Sequence, residues 1–307
     1  MRLRAVIFII MTAALGVTLL QTNLHTASCS GTPDAIESGT GREKPKGETV
    51  KILFLHHSTG ERIWSAGVSE WFEAYNRRNG TKYDIVEQAF PKQSPYGWNN
   101  YPYDYWNIWV NHSGGVVYQG EPTLELLAKT YNVIIFKHCF PVSEILADTG
   151  TPDVSSPEKR IENYRLQYDA LKSKMHGFPR TTFIVWTGAA QVNYSNFLHE
   201  MASLIKRRPG IKERGKRART FFEWVRNEWD EPGDNIFVWD FYELETEGGL
   251  FLRREYADSP TNSHPNKMFS KMVAPHFCQR VVDIIEGRGD RSNVTGKEDT
   301  PLSAPLR

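Results

Sequence analysis

Short apolar runs rich in β-branched residues recur along the chain, separated by longer segments of helical character. Five of these runs are candidate strands: residues 50–55, 83–88, 133–137, 182–187 and 235–240. Unbroken apolar runs are typical of strands buried on both faces, as in parallel sheets. Strands that alternate with helices indicate a parallel sheet with crossover helices. The pattern predicts an α/β fold with five parallel strands in the order 2-1-3-4-5 and helices on both faces.

Three longer segments are predicted to be helices, at residues 158–176, 212–229 and 265–286. The last begins with a proline and is followed by Gly287, which is typical of helix ends. Residues 90–119 show no clear period and are crowded with Tyr, Trp, Asn and Gly. A loop of that length inside a compact domain is usually functional.

The N-terminus has the features of an export signal. Two arginines precede an apolar run at residues 5–20, which has the length of a signal peptide and is short for a bilayer span. A single membrane anchor is the alternative. Cys29 follows small residues, as a lipidated cysteine does in bacterial lipoproteins. We therefore expect a signal peptide at residues 1–28 and an exported chain that is periplasmic, extracellular or lipid-anchored at the cell surface.

Two further segments have a composition that cannot bury enough apolar surface to fold. Residues 29–47 are predicted to be a disordered linker, and residues 288–307 a disordered tail. A single domain at residues 48–287 remains between them. The net charge of the 307-residue chain is +1 and no long basic run occurs, so nucleic acid is not an expected partner. Cys139 and Cys278 form either a disulfide or two buried thiols.

The ends of the predicted strands carry polar groups. The first strand runs into His56, His57 and Ser58, and the loop before the last helix reads "DSPTNSHPN", which includes His264. Because carboxyl ends of parallel strands share one sheet edge, Ser58 and His264 are expected to meet there. A serine hydroxyl needs an imidazole within hydrogen-bond reach to become a nucleophile. A helix that starts just after Ser58 would also direct backbone N–H groups at an oxyanion.

These motifs resemble those of the SGNH, or GDSL-type, hydrolases. The strand ending in Ser-Thr-Gly, the five strands and "SHPN" before the last helix carry the resemblance, which spans about residues 51–286. It implies a three-layer α/β/α sandwich of flavodoxin-like type, with Ser58 as nucleophile and His264 as base. Gly97, in "SPYGWNN", matches the glycine whose backbone N–H forms the oxyanion hole with that of Ser58.

The chain departs from the family pattern at two positions. Thr261 stands where the family has an aspartate three residues before the histidine, so Asp258 either orients His264 or the acid is missing. The family's third block supplies an asparagine to the oxyanion hole. This chain has "FKHCFPVSEI" there, and His138 is the predicted substitute.

Other interpretations of these residues remain open. Ser58 could cap a helix, and His264 could be a structural loop residue. His56, His57, His138 and His264 suggest a zinc site, but adjacent strand residues point to opposite faces, which makes it difficult for His56 and His57 to share one ion. Neither a metal nor another cofactor is predicted.

An aromatic cluster lies within residues 90–119. Its members are Tyr96, Trp98, Tyr101, Tyr103, Tyr105, Trp106 and Trp109. The rings either pack the loop onto the domain or form a platform for sugar rings, with Asn99 and Asn100 bonding hydroxyl groups. On the second interpretation Trp98, Asn99 and Tyr101 bind substrate.

The sequence thus predicts an exported serine esterase that acts on a small-molecule or carbohydrate ester, with acetyl as a candidate acyl group. Ser58 attacks the carbonyl and His264 acts as base and then as acid. Two alternatives stay open: a carbohydrate O-acyltransferase of the same fold, and a surface-tethered carbohydrate-binding protein that has lost the chemistry. Contact with a membrane is expected only through the signal peptide or a lipid anchor.

Overall fold

The computed structural model describes residues 47–92, 94–97, 99–194 and 210–298. The predicted signal peptide, Cys29, the linker up to residue 46, Trp98 and residues 299–307 lie outside the described residues. No helix in the described ranges is long and apolar enough to cross a bilayer.

A five-stranded, fully parallel sheet forms the centre of the molecule, in the order β2-β1-β3-β4-β5. The strands are β1 (Val50–His56), β2 (Tyr83–Ala89), β3 (Val133–Lys137), β4 (Thr182–Trp186) and β5 (Ile236–Trp239). Every residue of β3 is buried, as the unbroken apolar run predicted. The predicted α/β sandwich and strand order are confirmed.

Helices cover both faces of the sheet. They are α1 (Ser58–Trp64), α2 (Val68–Asn79), α3 (Pro102–Trp106), α4 (Leu124–Thr130), α5 (Ile161–His176), α6 (Ile211–Trp224), α7 (Phe241–Thr246) and α8 (Lys267–Ile285). One apolar layer joins α1, α2, α7 and α8 to the sheet around Phe54, Trp186 and Phe277. The other joins α3, α4, α5 and α6 to the opposite face. A short antiparallel hairpin, β6 (Ala257–Ser259) and β7 (Asn262–Pro265), precedes α8.

The last helix begins two residues later than predicted, because Pro265 ends β7. Asn266 is the N-cap, and its side chain accepts a hydrogen bond from the backbone N–H of Phe269 (2.9 Å). Asparagine side chains commonly satisfy the free N–H groups of a first turn in this way.

The segment at residues 288–298 is part of the folded domain, so the prediction of disorder is wrong for these residues. The buried guanidinium of Arg280 donates to the Gly289 carbonyl (2.6 Å) and the Ser292 Oγ (2.8 Å). The Trp239 indole donates to the Thr295 carbonyl (2.8 Å). The segment's polar composition misled the prediction because its backbone groups serve as partners for buried donors in β5 and α8.

The unassigned region at residues 90–119 also has regular structure. It contains α3 and a π-helical turn at Asn107–Asn111. Tyr105 and Trp109 are fully buried against Phe136 of β3. The stretch from residue 100 to residue 109 therefore forms part of the core that covers one face of the sheet.

Candidate active site

Ser58 and His264, which are far apart in sequence, meet at the carboxyl edge of the sheet. Ser58 is the first residue of α1, and β1 ends two residues before it. His264 lies in β7, directly before α8. The Ser58 Oγ is 2.6 Å from the His264 Nε2, which is a hydrogen-bond distance. The structure therefore brings together the two side chains that the strand ends suggested.

The alternation of side chains along β7 positions His264. Residues two apart on a strand point to the same face, so Asn262 and His264 lie together. Ser263 and Pro265 are buried on the other face. The backbone N–H of Val192 donates to the Ser263 Oγ (3.1 Å). This contact ties β7 to the loop after β4 and holds His264 at the sheet edge.

Asn262 orients the imidazole of His264 through its side-chain amide. The Asn262 Oδ1 accepts a hydrogen bond from the backbone N–H of His264 (3.1 Å) and lies 2.6 Å from the ring Nδ1. The Asn262 Nδ2 donates to the Asp258 Oδ2 (2.9 Å). A backbone N–H can only donate and a carboxylate can only accept, so these bonds determine which end of the amide faces His264. Because the amide oxygen faces Nδ1, Nδ1 carries the ring proton.

This tautomer leaves the lone pair of the neutral ring on Nε2, where it accepts the hydroxyl proton of Ser58. In serine proteases, replacing the orienting aspartate by asparagine yields the wrong tautomer and lowers kcat about 10⁴-fold. Here the amide is held with its oxygen towards the ring, so the asparagine supports the productive tautomer. The pair has the geometry of a nucleophile and its general base.

The predicted role of Asp258 is wrong in its detail, because Asp258 bonds Asn262 and has no direct hydrogen bond to His264 among the described contacts. The Asp258 carboxylate is also 3.8 Å from the Arg62 guanidinium, at the surface. Sequence reasoning missed Asn262 because the family spacing directed attention to Thr261. Asn262 lies two residues before His264, and on a strand this spacing places both side chains on one face. The spacing indicates an orienting residue only if residues 262–265 are recognised as a strand.

The surroundings of His264 favour its neutral form. Burial lowers the pKa of His264 below its usual value near 6.5, and the cations Arg62 and Lys137 lower it further. The Asp258 carboxylate acts in the opposite direction. A neutral imidazole is the form that can accept a proton, so His264 is prepared to act as a base at neutral pH.

The start of α1 offers backbone N–H groups beside Ser58. The first i to i−4 bond of this helix joins the Glu61 N–H to the His57 carbonyl (3.0 Å). The N–H groups of the first turn, including that of Ser58, therefore have no acceptor within the helix. Gly97 lies in the loop after β2 with a φ of +123°, and its place in an oxyanion hole stays a prediction.

His138 cannot be the predicted oxyanion donor, because its ring is buried on the other side of β3. Its Nε2 lies 2.9 Å from the Tyr168 hydroxyl of α5, and the ring packs edge-on against Tyr105. His56 points away from His138, with its ring between Glu87 and the His57 carbonyl. The histidines that suggested zinc thus face different partners, and no cluster of three metal-ligating side chains occurs in the described ranges.

Two residues of the loop after β3 border the Ser58–His264 pair. The Cys139 Sγ is 3.8 Å from the Ser58 Oγ. The Phe140 ring packs edge-on against the His264 ring, with centroids 5.3 Å apart. Cys139 and Cys278 are both buried free thiols, which resolves the alternatives left open by the sequence.

The aromatic cluster mainly packs the core. Tyr101, Tyr105, Trp106 and Trp109 are buried. Tyr101 is only 7% exposed and lies against Tyr164 of α5, which contradicts its predicted role as a sugar platform. Asn100 is also buried, and its amide donates to the Phe90 carbonyl (2.5 Å). Asn99 is exposed, and Trp98 lies outside the described residues.

Comparisons with known proteins add little to this picture. No protein-family model matches the chain, and no curated protein matches it. Among solved structures the chain is similar to a gut microbial diltiazem-metabolizing enzyme, at 11% identity and a TM-score of 0.45. The match covers 80% of this chain and 48% of that enzyme's chain. The chain thus spans about half the length of that protein.

Proposed function

We propose that the protein is a serine hydrolase of SGNH type that cleaves carboxylic esters. The observation that carries the proposal is the chain of hydrogen bonds from Ser58 through His264 to Asn262. Each member faces the atom that general-base activation of a serine requires. The amide at Asn262 also supplies the orienting group that Thr261 lacks, which supports an enzyme over a carbohydrate-binding relative that has lost the chemistry.

The reaction follows from this geometry. The Ser58 Oγ attacks the ester carbonyl while the His264 Nε2 accepts the hydroxyl proton. Backbone N–H groups at the start of α1 stabilise the negative charge on the carbonyl oxygen. His264 then gives the proton to the departing alcohol, which leaves an acyl group on Ser58. Water, deprotonated by His264, attacks that acyl group, and the carboxylic acid is released as the proton returns to Ser58.

The substrate is proposed at the level of the ester group. Cys139 and Phe140 lie directly beside the reacting pair and favour a short acyl chain such as acetyl. The proposal includes a carbohydrate as the alcohol part of the ester. Among the described residues of the loop, exposed Asn99 supports this part of the proposal. Export is proposed from the sequence of residues 1–28, and would give the enzyme access to extracytoplasmic esters.

Turnover of 4-nitrophenyl acetate tests the proposal. We expect Ser58→Ala and His264→Ala each to lower kcat by about 10⁴-fold or more, because members of such a unit act together. Ser65→Ala, at an exposed serine just after α1, is the matched control and should keep wild-type turnover. Acetylated oligosaccharides assayed in parallel would show whether a sugar is the preferred alcohol. Wild-type protein that cleaves none of these esters would contradict the proposal.

A further inference from the structure

The ring of His56 lies between two hydrogen-bond acceptors. His56 is the last residue of β1 and is 3% exposed. Its Nδ1 is 2.9 Å from the His57 carbonyl oxygen. Its Nε2 is 2.5 Å from the Oε2 of Glu87, a residue of the neighbouring strand β2. Both ring nitrogens therefore face oxygen atoms.

Counting protons shows that these two bonds cannot both form with a neutral ring and an ionised Glu87. A neutral imidazole has one N–H, whereas a carbonyl and a carboxylate both require a donor. One additional proton satisfies both bonds. It resides on His56, which then donates twice, or on Glu87, which then donates to Nε2. The two states contain the same number of protons, so His56 and Glu87 titrate as a unit.

The charges around the pair favour the proton on Glu87. The pKa of His56 is lowered to about 4, mainly by burial and also by Lys137 of β3, while the His57 carbonyl and Glu61 of α1 act in the opposite direction. Desolvation and Glu61 raise the pKa of Glu87. The pKa of the adjacent His57 is also lowered to about 4, so that ring is neutral as well.

The same ring supports the backbone on both sides of Ser58. The His57 carbonyl, held by the His56 Nδ1, also accepts the first helical bond of α1 from the Glu61 N–H. Gly60 lies directly on the ring. A Cβ at Gly60 would be 2.4 Å from the His56 Cβ and 2.6 Å from its Cγ, so only glycine fits there. The first turn of α1 is therefore seated on His56.

We propose that His56 and Glu87 share a proton and thereby hold the strand-to-helix turn that carries Ser58. Both are then positioning residues for the esterase reaction, and the inference rests on the proposed function in this respect. Neither residue touches the reacting atoms. Loss of the shared proton as the pH rises breaks one of the two bonds and loosens the turn.

Substitutions at Glu87 separate this role from a general structural one. In Glu87→Gln the side-chain NH₂ donates to the His56 Nε2 at every pH, which preserves both bonds. We expect kcat/KM within about 3-fold of wild type at the optimum, since the number of hydrogen bonds is unchanged. As the pH rises, this pair should cause no fall in the kcat/KM of the variant. Glu87→Met has a similar length but no donor. We expect it to lower kcat at least ~10-fold, because a misplacement of 1 Å can cost ~10²-fold.

Asp84→Asn is the matched control, since Asp84 is an exposed residue of β2 whose side chain points to the opposite face of the strand from that of Glu87. It should match wild type at every pH. Identical changes of kcat/KM with rising pH in wild type and Glu87→Gln, or wild-type turnover by Glu87→Met, would overturn the proposal.

Nitrogen NMR of the His56 ring measures the protonation of the same pair and requires no enzymatic turnover. The signals are assigned by their loss in His56→Gln. We expect the ring of Glu87→Gln to keep one proton on Nδ1 from pH 5 to 9, and the wild-type ring to change as the pair titrates. If the protein is inactive but its His56 ring shows these states, the result contradicts only the proposed esterase activity and not the shared proton. If the enzyme is active but the His56 ring behaves identically in wild type and Glu87→Gln, the proposal that His56 and Glu87 share a proton is overturned.

Discussion

At the scale of single residues, the unusual feature is an amide where a carboxylate is expected. Asn262 determines the tautomer of His264 as a carboxylate would, because its oxygen faces Nδ1. It brings no charge to stabilise the imidazolium that would form in the proposed reaction. The Asp258 carboxylate, one hydrogen bond further away, supplies a negative charge at a distance. Orientation and charge, which one aspartate usually provides, are thus divided between two residues.

This division predicts that replacing Asn262 lowers kcat/KM more than replacing Asp258 does. Asn262→Ala leaves Nδ1 without its acceptor and should lower kcat/KM by about 10²- to 10⁴-fold, whereas Asp258→Ala should cost about 10-fold. The exchange Asn262→Asp with Asp258→Asn keeps the hydrogen bonds and moves the charge next to His264. It should outperform Asn262→Asp alone, which places two carboxylates in contact. Steady-state kinetics on 4-nitrophenyl acetate measure all four variants, and an Asn262→Ala enzyme with wild-type activity would contradict the assignment.

The pH dependence is a second prediction at this scale. Because the pKa of His264 is lowered, the base stays neutral at acidic pH, and the acid limb of kcat/KM should lie below pH 6.5. Arg62→Ala removes a cation that lowers this pKa, so its acid limb should move to higher pH. Asp258→Ala removes the opposing charge, so its limb should move to lower pH. Arg77→Ala, an exposed arginine of α2, should leave the profile unchanged. A limb that moves down in Arg62→Ala would contradict the electrostatic account.

At the scale of elements, residues 288–298 act as a strap across the end of the sheet. The segment accepts hydrogen bonds from Arg280 in α8 and from Trp239 in β5, and the Val294 carbonyl accepts from the Asp240 N–H (2.9 Å). Arg280 is 1% exposed, and these acceptors satisfy its buried guanidinium. A segment rich in Gly, Ser and charged residues is therefore ordered here because its backbone carbonyl groups accept hydrogen bonds from buried donors.

A chain that ends at Gly287 tests this strap. We expect it to lose about 3 kcal/mol or more of unfolding free energy, because several buried donors lose their acceptors. Urea denaturation followed by tryptophan fluorescence measures the difference. A chain that ends at Glu298 is the control and should match full length. Equal midpoints for both truncated chains would show that the strap adds nothing to stability.

At the scale of the whole molecule, the sequence predicted the sheet and the meeting of Ser58 with His264. It did so because buried parallel strands are unbroken apolar runs and their carboxyl ends share one edge. Asn262 was missed because β7 is too short and polar to be recognised as a strand. The Glu87–His56 pair depends on the register between β1 and β2, which no local pattern contains. Both interpretations of the aromatic loop stayed open because rings that fill a core and rings that bind sugars look the same in a sequence.

The central claim is that Ser58 is activated by His264, and a fluorophosphonate probe tests it most directly. The probe reacts with a serine that has both a base and an oxyanion site. We predict a single adduct on the peptide that contains Ser58, located by mass spectrometry. The adduct should be absent in Ser58→Ala, strongly reduced in His264→Ala and undiminished in Ser65→Ala. Wild-type protein that forms no adduct, or an adduct that persists in Ser58→Ala, would contradict the claim.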